Sequence, residues 1–210
     1  MRRKAGPSAE RLPAPLVGLL GWLKQHGATF DDVELRVAGG VAGVGLFAKR
    51  DFSAGDTLAA LPQSCALTAS VALASELGAA VTAAAEKLGC ADACTAELVT
   101  WLFMCRGRAC PSHAWHAYLA ALPPAPDPAS WPEAQRANLQ ATTVGGAVDE
   151  ALQYVAQCHR VVASLATEVA ELASISEQEL LWARGMLLSR QFPSHLVEAG
   201  PPKEASRGRG

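Results

Sequence analysis

The sequence predicts a mostly helical α+β protein in which one small β-hairpin or sheet precedes a long run of helices. Composition is the first observation. Of the 210 residues 50% are hydrophobic but only 6% aromatic, so the apolar bulk is Ala, Leu and Val, which suits helices packed closely through small side chains. The second is period-two alternation between Val33 and Leu61, punctuated by Gly and Pro. The third is a 3.6-residue apolar period, interrupted by capping signals, that runs from Thr68 to Ser189.

Each element has its own signal. Residues 1–15 are rich in Pro and charge, lack periodicity and read as a disordered tail. Leu16, Leu19, Leu20 and Leu23 fall at helical spacing, and Gly27 stops that first helix. Val33, Leu35 and Val37 alternate with Glu34 and Arg36 as in a half-buried strand that Gly39-Gly40 ends. A second strand, Val44 to Lys49, and a third, Thr57 to Leu61, flank the turn Asp51–Asp56 and predict a hairpin; Pro62, with no N–H for the ladder, closes it. Thr68 caps a helix through Leu77. Helices over Ala79–Leu88, Thr95–Arg106 and His113–Leu122 follow, and the Pro-rich run from Pro123 breaks the last. Ser130-Trp131-Pro132-Glu133 fits a capping box. Val148, Leu152, Val155, Val162, Leu165, Val169 and Leu172 predict the longest helix, over residues 144–173. Ser176-Glu177-Gln178-Glu179 is a second capping box, opening a helix to Ser189, and residues 193–210 read as another disordered tail.

Charge and composition narrow the function. A formal net charge of -2 offers no footprint for nucleic acid. The longest nearly apolar stretch, Leu12 to Leu23, contains two prolines and falls short of the roughly 20 residues that span a membrane. Six cysteines without a signal-peptide pattern favour a reduced compartment, cytoplasmic or nuclear. Cys90, Cys94, Cys105, Cys110, His113 and His116 cluster in sequence and raise a zinc reading. A helix between Cys94 and Cys105 would hold them roughly 16 Å apart at 1.5 Å per residue, too far for one ion. The smaller set Cys105, Cys110, His113 and His116 stands beside the plain reading of small packed residues, and no metal is predicted.

The Gly-rich stretch Gly39-Gly40-Val41-Ala42-Gly43-Val44-Gly45 admits more than one reading. A dinucleotide loop would open a helix whose amides hold a pyrophosphate, but here a strand follows. A site where missing Cβ atoms let a ligand meet main-chain groups, and a merely bulged strand entry, both remain.

Four motifs stand in order: Gly43 to Pro62; Leu61-Pro62-Gln63-Ser64-Cys65-Ala66-Leu67-Thr68; Trp115-His116-Ala117-Tyr118-Leu119-Ala120-Ala121-Leu122-Pro123, which reads W-x-x-YL-x-x-LP; and Leu181-Trp182-Ala183 through Ser189-Arg190. Together they resemble the front half of SET-domain protein-lysine methyltransferases of the Rubisco large-subunit methyltransferase-like branch, being similar to its first SET strands, the step into a helical insert, the signature of that insert and the return to the SET core. The resemblance implies a partial SET domain over residues 16–192, with N-terminal strands at 16–67, insert at 68–175 and return helix at 176–192. It implies S-adenosyl-L-methionine as cofactor, contacted by Ala42, Gly43, Val44, Gly45, Ser189 and Arg190, and a protein substrate or partner. Some relatives carry Glu where Ala42 stands, so a side-chain contact is absent there. Arg190 has a second reading as a cation at a helix C-terminus.

The family also supplies an Asn-His motif and a later Tyr at the methyl-transfer channel. This sequence contains no Asn-His pair, and its two tyrosines, Tyr118 and Tyr154, fall in the insert helices. The expectation is therefore a truncated, inactive chain of methyltransferase lineage, with no catalytic residue of its own. The alternative is a noncatalytic helical protein-interaction module.

Overall fold

The computed structural model describes residues 11–38, 43–124 and 127–192. In chain order it contains α1 (Ala14–Gln25), β1 (Val33–Val37), β2 (Val44–Ala48), α2 (Ala69–Leu73), α3 (Glu76–Lys87), α4 (Ala96–Ala109), α5 (His116–Ala121), α6 (Glu133–Arg136), α7 (Thr143–Leu165) and α8 (Glu177–Arg190). The fold is α+β and mostly helical. Residues up to Leu67 with Arg106–Pro123 make one unit, and Thr68–Cys105 with the chain from Pro124 make the other.

In the first unit α1 ends in a Schellman motif. Gly27 takes φ +87°, its N–H donates to Lys24 O, and Ala28 N–H reaches back to Leu23 O. Trp22 anchors this helix to α5: its indole N–H donates to Ala114 O at 2.8 Å, and its ring centroid lies 5.2 Å from that of Trp115. Gly107, near the end of α4, lets α5 come close, since a Cβ there would sit 2.4 Å from Leu119 Cδ1.

The sheet has two antiparallel strands, with Val33 opposite Ala48, Leu35 opposite Leu46 and Val37 opposite Val44. The hairpin is thus the one between β1 and β2, and the pairing expected between residues 44–49 and 57–61 does not form. Residues 57–61 make no strand; Ala60 alone bridges to Thr29, through two hydrogen bonds of 2.9 and 2.8 Å. The reason lies in the turn. Ser53 N–H and Arg50 both reach the Asp56 carboxylate, and Arg50 also pairs with Asp32 at 2.8 Å. These side chains hold the loop in a shape that carries residues 57–61 away from β2, so their alternation finds no ladder.

The second unit is a helical core. Along α7 the buried residues Val148, Ala151, Val155, Cys158, Val162 and Leu165 recur at steps of three and four, the stripe expected of a helix packed on one face. It packs against α8, whose Leu180, Leu181, Trp182, Ala183 and Met186 are buried, and against α3. Trp101 and Leu102 of α4 are fully enclosed, with the Tyr154 ring edge-on to Trp101 at 5.8 Å.

Every helix start here but that of α6 is marked by a local hydroxyl cap. The hydroxyls of Thr68, Ser75, Thr142 and Ser176 accept from the backbone N–H three residues on, as does Thr95 at the start of α4. The expected capping box at Ser176 forms in full with Glu179. The one expected at Ser130 does not: α6 starts after Pro132 without a side-chain cap, Asp127 instead caps the short turn Pro128–Ser130, and Ser130 Oγ is buried without a partner. The longest helix is α7, but it ends at Leu165 rather than near residue 173. Thr167 N–H and hydroxyl both go to Ser164 O, and Ala170–Ser174 continues only as a 3₁₀ turn. Other boundaries move by a few residues: the helix expected to Leu77 stops at Leu73, and that expected from His113 begins at His116.

Candidate functional site

The Gly-rich entry to β2 belongs to the first unit. Gly43 lies just before the strand with φ +62°, a left-handed conformation that side chains resist, and a Cβ on it would meet nothing within 4 Å. Its carbonyl accepts from Ala38 N–H at 2.7 Å, closing the hairpin end. Val44 pairs with Val37 and Gly45 with Arg36, so both are fixed by the ladder. Gly45 is small for a reason, because a Cβ would come within 3.1 Å of the Phe47 ring. That ring is in turn covered by the Arg36 guanidinium at 5.3 Å. Ala42 lies outside the described residues.

Ser189 and Arg190 occupy the last turn of α8, in the second unit, and both are exposed. Ser189 Oγ donates to Gly185 O at 2.8 Å, while Arg190 donates to Ser189 Oγ at 2.7 Å and approaches Met186 Sδ at 3.4 Å. A cation in the last turn also complements the helix dipole. The pair is thus a preformed donor group at a helix end, tied together by one hydroxyl.

Sequence reading misses what lies beside Ser189. An open pocket of about 330 Å³ is lined by Val144, Ala147 and Val148 from α7, by Gly185, Leu188 and Ser189 from α8, and by Asp127 and Pro128. Arg184 pairs with Asp127 at 2.5 Å at this pocket, with both side chains largely shielded. No local pattern could announce that pair, since its partners stand 57 positions apart.

In the smaller zinc set, Cys105, Cys110, His113 and His116 each have other partners. His116 Nδ1 lies 3.0 Å from Gly107 O, which can only accept, so that nitrogen carries the proton. His113 Nδ1 accepts from Trp115 N–H at 3.1 Å, and burial, followed by Arg106, pushes its pKa down. Cys105 is buried, with its thiol 3.4 Å from Glu179 O. The Ser112 hydroxyl, assisted by nearby backbone N–H groups, lowers the pKa of Cys110. Among the described residues no three of His, Cys, Asp and Glu come together as a metal site.

Both tyrosines serve packing. Tyr118 stacks edge-on against Trp115. Tyr154 points its hydroxyl to Glu97 at 3.4 Å, and burial, then Cys158 and Glu97, raises its pKa.

No family model matches the sequence, and no curated protein does. Solved structures match. Rubisco LSMT bound to sinefungin and monomethyllysine aligns with a TM-score of 0.71 at 23% identity. The fold is similar to that of part of the LSMT SET-domain structures. The alignment covers 86% of this chain and 41% of that one. The SET domain of LSMT bound to lysine and AdoHcy gives a TM-score of 0.70 at 23% identity, over 86% of this chain and 40% of the other. Rubisco LSMT bound to AdoMet gives 0.69 at 23% identity, over 87% and 42%. The chain therefore spans about two fifths of the length of the SET-domain structures it matches.

Proposed function

We propose that this chain is part of an S-adenosylmethionine-dependent protein-lysine methyltransferase and contributes residues that contact its cofactor. The observation that carries the reading is the shared LSMT SET-domain fold across most of the chain, since the neighbouring structures hold AdoMet or AdoHcy. In this reading the backbone of Ala42, Gly43, Val44 and Gly45 meets the cofactor's polar edges. Ser189 and Arg190 contact the cofactor from the end of α8, with the guanidinium as donor to the carboxylate. Gly43 and Gly45 suit that role, because a main chain without Cβ atoms can be approached closely. The methyl acceptor is a lysine on a protein, and the compartment is cytoplasmic or nuclear.

Methyl transfer needs a deprotonated amine held in line with the methyl group by walls that exclude water. The 210 residues hold no Asn-His pair, and Tyr118 and Tyr154 are committed to packing. In this reading the chain alone binds the cofactor weakly and does not turn over, because a few contacts without an enclosing site return little of the cost of ordering a ligand. Amide-resolved NMR titration with millimolar AdoMet tests this. Shifts centred on Gly43, Gly45, Ser189 and Arg190, with dissociation in the millimolar range and no methyl transfer, are expected. Submicromolar binding, or shifts confined to other residues, would overturn the site. No perturbation anywhere would favour the noncatalytic interaction module.

A further inference from the structure

We infer that the pocket beside Ser189 receives a glutamine side chain from an extended segment of a partner protein, with aliphatic neighbours of that glutamine resting on the rim. The inference is independent of the cofactor reading and rests on what α7, α8 and Asp127 bring together within the second unit. The polar part of the pocket is the Arg184–Asp127 ion pair, whose side chains are only 21% and 15% exposed. The apolar part includes Val144, Ala147 and Leu188, of which Val144 and Leu188 stand 46% and 52% exposed.

The ion pair is in place before any ligand arrives. Asp127 Oδ1 accepts from Ala129 N–H at 3.0 Å while Oδ2 accepts from Arg184. Arg136 braces the same loop by donating to Ala129 O at 3.3 Å and to Trp131 O at 3.0 Å. Little has to be ordered there on binding, which lowers its cost. Arg184 reaches Asp127 through Nη1 alone. A guanidinium has further N–H groups and a carboxylate further lone pairs, so both partners keep hydrogen-bonding capacity for a ligand.

Charge decides which ligand. A carboxylate would set a second anion against one guanidinium, and an ammonium a second cation against one carboxylate; in a shielded site either is unfavourable. A purely apolar group would strip water from the pair and return no hydrogen bond. A primary carboxamide is neutral, accepts from Arg184 through its oxygen and donates to Asp127 through its nitrogen. Glutamine sets that group on two methylenes, which gain apolar contact with Ala147. The volume of about 330 Å³ lies at the low end of the roughly 300–1,000 Å³ of small-molecule pockets, so it suits a side chain and part of its neighbour. A free small amide would leave Val144 and Leu188 uncovered, whereas flanking aliphatic residues of a peptide bury them.

Amide-resolved NMR of the full chain tests this, with a capped peptide of glutamine between two leucines as the probe. Shifts at Ala147, Val148, Gly185 and Leu188, with dissociation in the millimolar range, are expected. Counterparts with glutamate, lysine or methionine in the middle should bind at least about fivefold more weakly, and butyramide more weakly still. Ala147→Leu, at an exposed helical position, should fill the pocket and abolish the shifts, and Leu188→Ala should weaken binding by about threefold through lost apolar contact. The inference is overturned if methionine or a charged counterpart binds as well as glutamine, if butyramide matches the peptide, if both variants bind like the wild type, or if the glutamine peptide moves none of these amides.

Discussion

The two units reach order by different routes. In the second, α7 presents a continuous apolar stripe, α4 is buried on all sides from Leu98 to Cys105, and Trp101, Leu102, Leu165, Leu180 and Ala183 are fully enclosed. In the first, the aromatic contacts of Trp22 and Trp115 are well buried, yet Leu46, Leu58 and Leu61 stand 60%, 51% and 62% exposed on and beside the hairpin. The difference follows from the range of the interactions. A helix satisfies its backbone from within four residues, whereas a strand depends on a neighbour, and among the described residues this sheet has two strands.

Hydrogen exchange should show the contrast most plainly. Amides in the buried turns of α4, α7 and α8 should exchange only through large openings, and those of residues 51–61 faster by orders of magnitude, because among the latter the described backbone bonds are few and at the surface. Comparable strong protection in both stretches would dissolve the distinction. Urea unfolding should follow the same division. Leu180→Ala removes a fully buried side chain and should cost about 2–5 kcal/mol, whereas Leu61→Ala, at an exposed site, should stay within about 0.5 kcal/mol.

Two glycines carry the comparison to the backbone. Gly145→Ala would put a Cβ 2.2 Å from the Leu139 carbonyl oxygen, so the start of α7 must shift; a loss of about 2–3 kcal/mol is expected, and Gly145→Ser should fare no better. Gly43→Ala meets no neighbour and suffers only from its left-handed φ, about 1 kcal/mol, most of which Gly43→Asn should restore. Equal losses for Ala and Asn at position 43 would point to a contact rather than to conformation. Ser176→Ala dismantles the capping box of α8 and should lower stability by about 1 kcal/mol in the same unfolding assay.

The smallest expected effect is a pH dependence in the first unit. Ser53 N–H and then Arg50 hold the Asp56 carboxyl below its ordinary value of 3.8. A depressed folded-state pKa means that the contribution is present above that ordinary value and is lost as the pH falls through the lower, folded one. NMR titration should therefore place the Asp56 midpoint below 3.8, with Arg50→Ala raising it only in part, because the backbone donor remains. Exposure of the Arg50–Asp56 pair at the surface and salt screening keep the consequence for global stability slight.

The helices were largely legible because their information is local. The α7 stripe, the Thr68 cap and the Ser176 box each lie within a few consecutive residues. What could not be read depends on distant partners. Residues 57–61 alternate like a strand, but the side-chain bonds among Asp32, Arg50 and Asp56 decide where they run. Ser130 has the right neighbours for a cap, yet Asp127 takes that work in a turn one step earlier. The pocket beside Ser189 was invisible, since it arises only where α7, α8 and Asp127–Pro128 converge. Of the candidate cofactor residues, motif order supplied the positions, and the structure adds the left-handed φ of Gly43 and the hydroxyl that joins Ser189 to Arg190.

The five hydroxyl caps at Thr68, Ser75, Thr95, Thr142 and Ser176 bear on how the protein is made. Each helix start is specified by a residue and the amide three positions later, so the signal is complete as soon as one further turn has left the ribosome. Helix boundaries in this part of the chain can be settled in the order of synthesis, ahead of any tertiary core, and errors of register at one helix need not propagate to the next.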